Sequence, residues 1–317
     1  MIAFFIFLMI GAVAGFLAGL LGIGGGLVVV PSLLVAFRFL GITNHMPMQL
    51  AVGTSLAVMV ISTFSAALSH YKRKSIDVLS ALVLGIGNIG GAWCGGYLTG
   101  IFPSQWLQIG FGSFQCVVAM WFAFSRTLHT PSHQKSRWPL VCLGLIVGLI
   151  STLLGIGGGL IQVPLLIYFG LPLRKAIGTA SCLSFVIALT GSLTLAFPTH
   201  EPIIFPHSLG FIYLPAFFAI GSTSFLTAPL GAKLVHSASP NKLRKVVGLF
   251  LFAVGLGMIL SAALNKVEPD QKAKKKDSMV CAARFRRSTP DQKEKQSPNK
   301  RKNRARHRAI DASGGFL

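Results

Sequence analysis

Hydrophobic residues form ten long runs that are separated by short polar or glycine-rich breaks. A helix needs about 20 apolar residues to cross a membrane, with a usable range of roughly 17–25. Most of the runs reach that length, whereas 27–42 and 156–170 lie at or below its lower limit. The pattern predicts an all-α polytopic membrane protein with about 8–10 membrane segments. The runs cover approximately residues 2–21, 27–42, 49–69, 78–100, 106–124, 139–154, 156–170, 176–197, 208–230 and 246–264.

The two short runs follow glycine-rich stretches that are nearly identical. The sequence Leu-Leu-Gly-Ile-Gly-Gly-Gly-Leu occurs at 20–27 and again at 153–160, and Pro31 and Pro164 follow at the same distance. Hydrophobic segments interrupted by glycine and proline at corresponding positions of two halves are the best sequence indication of the binding site in a repeat-built transporter. We therefore predict two inverted structural repeats with broken or re-entrant helices at these glycines.

A second pair of similar stretches supports this division of the chain. Gly53-Thr54-Ser55-Leu56 corresponds to Gly178-Thr179-Ala180-Ser181, shortly after each short run. We predict a first membrane repeat at 1–125, a cytoplasmic linker loop at 126–138, a second membrane repeat at 139–265 and a basic tail at 266–317. The composition of the tail is too polar to bury a core, which predicts disorder.

The positions of Lys and Arg in short loops predict the orientation of the helices, because cytoplasmic loops are enriched in both. The basic stretches at 71–74, 126–137, 174–175 and 233–245 are all cytoplasmic if each half crosses five times, which places the N-terminus outside. An odd count also makes the halves inverted copies. Four crossings per half, with re-entrant glycine-rich elements, would instead place residues 233–245 on the outer side of the membrane. We favour ten segments.

Composition agrees with a membrane protein and argues against nucleic acid as a partner. The 317 residues are 52% hydrophobic and 12% charged, whereas soluble domains carry about 25% charged residues. The net charge of +21 could suggest nucleic acid binding, but the basic residues before Lys266 lie in short clusters between apolar runs. Such clusters are typical of loops retained in the cytoplasm. The tail is either an anchor to anionic lipid headgroups or an extension without a role.

Two further features exclude other classes. Residues 1–21 are apolar and lack a basic start, which predicts a first membrane helix rather than a cleaved signal. The five cysteines form neither a CxxC pair nor a metal-binding spacing. We expect no metal and no cofactor, and a thiol–disulfide relay enzyme would need a reactive cysteine pair that is missing at matched positions.

The glycine-rich stretches are candidate binding sites for a small anion. Breaking a helix in hydrocarbon leaves amide and carbonyl groups unpaired, which is tolerated only where the break is buried in protein or lines a water-filled cavity. A half-helix that begins after each break directs free amides and positive partial charge at the same point. The alternative is close helix packing through small residues. The candidate glycines are Gly22, Gly24, Gly25, Gly26, Gly155, Gly157, Gly158 and Gly159.

Polar side chains near the breaks are further candidates. Four hydroxyls adjoin glycines in apolar runs: Thr54, Ser55, Thr179 and Ser181. They either donate to an oxyanion or bond back to a carbonyl of their own helix. Gln162 lies where the first half has Val29, and an amide at membrane depth is costly unless it is paired. Acidic residues are absent from the runs, and Asp77 stands at a helix start where it could cap the helix.

These motifs resemble the sulfite exporter TauE/SafE family of bacterial multi-pass membrane proteins. The resemblance rests on the glycine-rich motifs at 19–31 and 153–164, on AVGTS at 51–55 and IGTAS at 177–181, and on SHYKRKSID at 69–77. It implies a permease for small sulfur oxyanions or organosulfonates, such as sulfite or sulfoacetate, in the bacterial inner membrane. Family members often carry glycine where this chain has Ser75, and the tail after Lys266 has no counterpart in the resemblance.

The sequence thus predicts a membrane transporter of a small anion that is not an enzyme. Its partners are the anion and the lipid bilayer, without nucleic acid. A membrane scaffold or assembly factor without transport is the main alternative, and a thiol-redox enzyme is less favoured. The oligomeric state, the exact substrate and the direction of transport are not predicted.

Overall fold

The described part of the chain folds into helices that follow the predicted apolar runs. The computed structural model describes residues 2–21, 25–41, 46–124, 139–198, 207–235 and 240–265. Their helices are α1 (Ile2–Leu21), α2 (Gly26–Phe39), α3 (Pro47–Lys72), α4 (Val78–Ile101), α5 (Ser104–Phe124), α6 (Pro139–Leu154), α7 (Gly159–Tyr168), α8 (Leu173–Ala196), α9 (Leu214–Val235) and α10 (Pro240–Asn265). By length and composition, α3, α4 and α8 are long and apolar enough to cross a membrane. The predicted helical class is confirmed.

The predicted run at 208–230 departs from the structure at its start. Strands β1 (Ser208–Leu209) and β2 (Ile212–Tyr213) form an antiparallel hairpin before α9 begins. Its turn contains Gly210 with φ of +54°, and the Phe211 amide donates to the Leu195 carbonyl at 2.8 Å. Phe211 and Ile212 are buried. Hydropathy therefore did not separate this buried hairpin from the apolar helix that follows it.

Glycines mediate the packing of α4 against α6. Gly87, Gly91 and Gly95 lie against main-chain atoms of α6, in the order Val141, Leu145 and Leu149. Because the residue numbers of the contacting positions increase in the same direction along both helices, the two helices run parallel. Small residues allow such close approach in a membrane, where apolar surface alone does not drive helices together.

The same type of packing joins α1 to α9. A Cβ built on Gly11 would lie 2.8 Å from the Ile220 carbonyl oxygen, and one on Gly15 would lie 2.6 Å from that of Ser224. The Ser224 hydroxyl also donates to the Gly11 carbonyl at 2.9 Å. These helices again run parallel. Each of the two pairs thus joins a helix before residue 125 to one after residue 138.

Helices α3 and α8 each contact an extended segment of the chain, and the two sets of contacts match. Gly53 of α3 lies against the Phe211 carbonyl, and the Thr54 hydroxyl accepts a hydrogen bond from the Tyr213 amide at 3.0 Å. In the same way, Gly178 of α8 lies against the Ser75 carbonyl. The neighbouring Thr179 hydroxyl accepts from the Asp77 amide at 2.9 Å. Each Gly-Thr pair thereby fixes the extended segment that leads into α9 or α4.

Several predictions concern residues outside the described ranges. They are the sites at Gly22 and Gly24, the linker at 126–138 and the tail at 266–317. The division into two repeats therefore stays a prediction.

Candidate functional site

The second glycine-rich stretch breaks the chain between α6 and α7. Gly155, Gly157 and Gly158 have φ of +69°, +62° and +77°, a region that side chains other than glycine rarely enter. The Gly155 amide donates to the Thr152 carbonyl at 3.2 Å and the Ile156 amide to the Ser151 carbonyl at 3.0 Å. This pair of bonds is the Schellman motif that closes a helix C-terminus. The glycines are thus required by the backbone, beyond any advantage for packing.

The first break begins its following helix in the same conformation. Gly25, which precedes α2, has φ of 74° and ψ of −15°, and Gly158, which precedes α7, has φ of 77° and ψ of −15°. The predicted interruption is therefore present where the first stretch is described. Pro31 and Pro164 lie within α2 and α7.

The two breaks lie against each other. A Cβ built on Gly26 would be 2.5 Å from the Gly155 carbonyl oxygen and 2.9 Å from the Ile156 Cα. The Met59 sulfur lies 2.9 Å from the same point, and the Met59 methyl group contacts Gly157. Met59 is 1% exposed. The starts of α2 and α7 thus converge inside the protein, with Met59 between them.

Both half-helices direct unpaired amides at this region. The first helical bonds are made by Val28 and Val29 to the Gly25 carbonyl, and by Ile161 and Gln162 to the Gly158 carbonyl. The preceding amides, two in each helix, have no acceptor among the described residues, because the first turn of a helix lacks intrahelical partners. Neither glycine cap offers a side-chain acceptor. These amides belong to Gly26, Leu27, Gly159 and Leu160.

The predicted hydroxyls have protein partners. Thr54 donates to the Leu50 carbonyl at 2.7 Å and Ser181 to the Ile177 carbonyl at 2.9 Å, which are bonds to their own helices four residues back. Ser55 donates to the Gly155 carbonyl at 3.0 Å. Thr179 accepts from the Asp77 amide. In this conformation these side chains position the breaks and the neighbouring segments.

The side chain of Gln162 differs from these hydroxyls, since it is fully buried and has no hydrogen-bond partner. Its exposure is 0%, and neither amide atom has a hydrogen-bond partner. Its Nε2 lies 3.3 Å from the position of a Cβ built on Gly158, and the Ser151 hydroxyl lies 3.0 Å from the same position. Ser151 is also 0% exposed and unpaired. The Ser184 hydroxyl lies 3.0 Å from a Cβ built on Gly159. Three polar side chains from three helices therefore surround the start of α7.

Ser151 and Ser184 were missed by the sequence prediction, although the spacing carried a signal. Ser151 stands four residues before Gly155, and Ser184 three residues after Ser181. Positions three and four apart share a helix face. Gln115 was also missed; its amide donates to the Leu27 carbonyl at 3.2 Å. Pro31 lacks the N–H that would otherwise satisfy that carbonyl.

Asp77 acts as a helix cap, as the sequence had suggested. Its carboxylate accepts a hydrogen bond from the Ser80 amide at 3.1 Å, and Asp77 is the N-cap of α4. Within the described residues no group of three or more His, Cys, Asp or Glu side chains could hold a metal ion. The polar side chains described at the second break, those of Gln162, Ser151 and Ser184, are of neutral residue types.

Apolar helices, two of which begin at glycine breaks that lie against each other, are typical of polytopic helical membrane proteins. The chain matches the family "Sulfite exporter TauE/SafE" over residues 7–258 and belongs to that family. The family predicted from the motifs is thereby confirmed, and with it the class of membrane transporter.

Named relatives agree with this class. The chain is 34% identical over 265 residues to a "Probable membrane transporter protein" of Haemophilus influenzae, covering 80% of this chain and 97% of that protein. A "Probable membrane transporter protein" of Methanocaldococcus jannaschii is 29% identical over 255 residues, covering 80% of this chain and 94% of that protein. YunE of Bacillus subtilis, with the same description, is 29% identical over 214 residues, which are 61% of this chain and 78% of YunE. No solved structure matches the chain.

Proposed function

We propose that the protein is a permease that moves a small anion, a sulfur oxyanion or organosulfonate such as sulfite or sulfoacetate, across the bacterial inner membrane. One observation carries this proposal: the starts of α2 and α7 meet inside the protein, each with two amides that have no acceptor among the described residues. A helix N-terminus carries roughly half a positive charge and binds anions through its free N–H groups. The glycine backbone leaves room for a solute to approach these donors closely.

We further propose that residues 1–125 and 139–265 are inverted repeats. The support is a set of contacts that occurs twice, each time between one half and the other. A Cβ built on Gly11 would lie 2.8 Å from the Ile220 carbonyl oxygen. In the matching contact, a Cβ built on Gly144 would lie 2.5 Å from the Leu84 carbonyl oxygen. The remaining pairs are Gly15–Ser224 with Gly148–Asn88, and Thr54–Tyr213 with Thr179–Asp77.

In this proposal α6 and α7 form a re-entrant pair. Helix α6 runs parallel to α4, which begins beside the start of α8 because Asp77 bonds Thr179. Helix α7 starts beside Ser184, about midway along α8, and ends four residues before α8 begins. Its 10 residues span about 15 Å, half of a hydrocarbon core of about 30 Å. The chain thus enters and leaves on one side.

Helices α1 and α2 form the corresponding pair on the opposite side. Helix α1 runs parallel to α9, which begins beside the start of α3 because Tyr213 bonds Thr54. Three full crossings then remain in each half, α3 to α5 and α8 to α10. The basic stretches at 71–74 and 174–175 lie at the same membrane face in this proposal, which agrees with the positive-inside rule. In this proposal the chain crosses the membrane six times, whereas hydropathy alone predicted ten segments.

Transport by purified protein in lipid vesicles tests the anion proposal. Uptake of radiolabelled sulfite and sulfoacetate is measured for the wild type and for Gly26→Leu and Gly157→Leu, which fill the region between the breaks. Gly90→Leu is the matched control, because a Cβ on Gly90 meets nothing within 4 Å. We expect flux from the wild type and the control, and loss of flux in the other two.

The folded state of each variant is checked by gel filtration before reconstitution. Equal flux from all three variants would show that the anion does not pass the region between the breaks. A folded wild type that moves neither anion would contradict the anion proposal and favour the scaffold or assembly role.

A further inference from the structure

The two breaks differ in the polarity of the side chains around them. At the second break three polar residues lie at the start of α7, and two of them, Gln162 and Ser151, are fully buried without partners. The corresponding sequence positions in the first half are apolar. In the order Gln162, Ser151 and Ser184, the counterparts are Val29, Ala18 and Met59. The backbones of the two breaks are therefore similar, but of these matched positions only those at the second break have polar side chains that can donate hydrogen bonds.

We infer that the charged head of the transported anion is bound by the second half alone. Its ligands are the Gln162 side-chain amide, the Ser151 hydroxyl and the first-turn amides of α7, which belong to Gly159 and Leu160. This inference rests on the proposed anion transport and assigns the site within it. The α2 start forms the opposite wall and does not bind the charged head.

Geometry supports a common ligand for these donors. Gln162 Nε2 and the Ser151 hydroxyl lie 3.3 and 3.0 Å from the position of a Cβ built on Gly158, which Ile187 Cδ1 also approaches at 2.7 Å. Both unpaired groups therefore border Gly158, the cap of α7, and the first-turn amides follow it directly. A buried side-chain amide without a partner is unfavourable, and an oxyanion bound beside the start of α7 would accept hydrogen bonds from the amide, the hydroxyl and the main chain.

Met59 closes the site from the first half. Its sulfur is 2.9 Å from a Cβ built on Gly26, and its methyl group contacts Gly157. A thioether is apolar, polarizable and flexible, and it is a poor partner for a charged oxygen. The part of the ligand that faces α2 is therefore uncharged, such as the carbon of an organosulfonate or the lone-pair side of a sulfite.

The donors also define the charge of the bound head. Gln162, Ser151, Ser184 and the main-chain amides are all neutral, and Met59 opposite them is neutral as well. Burying an ion without a counterion is strongly unfavourable, so one helix terminus and neutral donors suit a single negative charge. The structure thus favours a sulfonate or hydrogen sulfite head over a doubly charged sulfate.

Equilibrium binding to the full-length protein in detergent tests this assignment. Methanesulfonate and sulfate compete with radiolabelled sulfite, and the inhibition constants are compared for the wild type, Gln162→Leu and Gln108→Leu. Gln108 is the matched control, because it is also a buried glutamine, and its side-chain amide donates to the Met258 carbonyl at 2.9 Å, between α5 and α10. We expect Gln162→Leu to weaken methanesulfonate binding by about tenfold or more, as loss of a bond to a charged group does. Gln108→Leu should bind as the wild type does, and sulfate should compete at least about tenfold more weakly than methanesulfonate.

Each outcome decides the assignment. Equal weakening by both variants, or no effect of Gln162→Leu, overturns the one-sided site while transport by the wild type continues to support the proposed function. Competition by sulfate as strong as that by methanesulfonate overturns the single-charge head. A wild type that neither binds nor moves any of these anions overturns the proposed function as well. Gel filtration and thermal unfolding of every variant separate loss of binding from loss of fold.

Discussion

The Ser55 side-chain hydroxyl donates a hydrogen bond to the main-chain carbonyl of Gly155, 3.0 Å away. The two residues are 100 positions apart in the chain, and both are buried. Gly155 directly follows α6, and its carbonyl also contacts Gly26 at the start of α2. A single serine on α3 therefore fixes the point at which the two breaks meet.

Replacing Ser55 by alanine should destabilise the protein and disturb the site. The Gly155 carbonyl would lose its donor in a buried position, which costs about 1 kcal/mol or more. Thermal unfolding in detergent measures the change, and sulfite flux should fall with it. Ser181→Ala is the control, since that hydroxyl bonds only the Ile177 carbonyl of its own helix. Equal unfolding temperatures of both variants would contradict a special role for Ser55.

Thr54 and Thr179 should contribute similar amounts to stability. Each hydroxyl accepts the amide of a segment from the other half, at 3.0 and 2.9 Å. Valine has nearly the same shape but no acceptor, so each substitution leaves a partly buried amide unpaired at a cost of about 1 kcal/mol. Denaturant unfolding of Thr54→Val and Thr179→Val measures the two costs. Thr63→Val serves as the reference, because Thr63 bonds only the Met59 carbonyl one turn away. A large difference between the two sites would argue against the proposed repeat.

Two neighbouring glycines of α4 should respond in opposite ways to alanine. A Cβ on Gly91 would overlap the Leu145 carbonyl, whereas one on Gly90 meets nothing within 4 Å. We expect Gly91→Ala to separate α4 from α6 and to reduce the yield of monodisperse protein. Gly90→Ala should be neutral or stabilising by up to about 1 kcal/mol, because alanine favours the helix. Gel filtration and thermal unfolding check both variants, and similar behaviour would mean that the α4–α6 contact is loose.

Gln115 and Pro31 should be energetically coupled. Gln115 donates to the Leu27 carbonyl, which Pro31 deprives of its helical donor. Gln115→Leu alone should destabilise by about 1–3 kcal/mol, because the carbonyl is left unpaired. Pro31→Ala restores a main-chain N–H, so the same Gln115 substitution should cost less in that background. A double-mutant cycle measured by unfolding gives the coupling energy, and strictly additive effects would show that the carbonyl has another partner.

Much of the helical pattern was predictable because hydropathy and length determine it. The predicted run at 139–154 coincides with α6, and Gly25 and Gly158 do interrupt the chain as the repeated motif indicated. The hairpin at 208–213 was not predictable from the same signal, since its residues are as apolar as a helix. Its fold depends on Gly210 and on the bond from Phe211 to Leu195, which is a tertiary contact.

The candidate site was predictable in its backbone and in the side chain of Gln162, but not in its other side-chain contacts. The glycine breaks could be predicted from sequence, because glycine adopts backbone conformations with positive φ that other residues avoid. The partners of Ser55 and Thr179 depend on helices that are distant in sequence, and the repeat alone does not indicate them. Ser151 and Met59 reach the site from α6 and α3, so that their contacts with the start of α7 depend on how the three helices pack.

The pairing of α1 with α9 has a consequence for biosynthesis. The Gly11 carbonyl receives its hydrogen bond from Ser224, a residue that lies 213 positions later in the chain. The ribosome delivers α1 long before its partner exists, so the glycine face must be shielded by lipid or by the insertion machinery until synthesis is nearly finished. Folding of this region is therefore delayed until α9 has been synthesised, and the N-terminal half on its own lacks the surface that completes it.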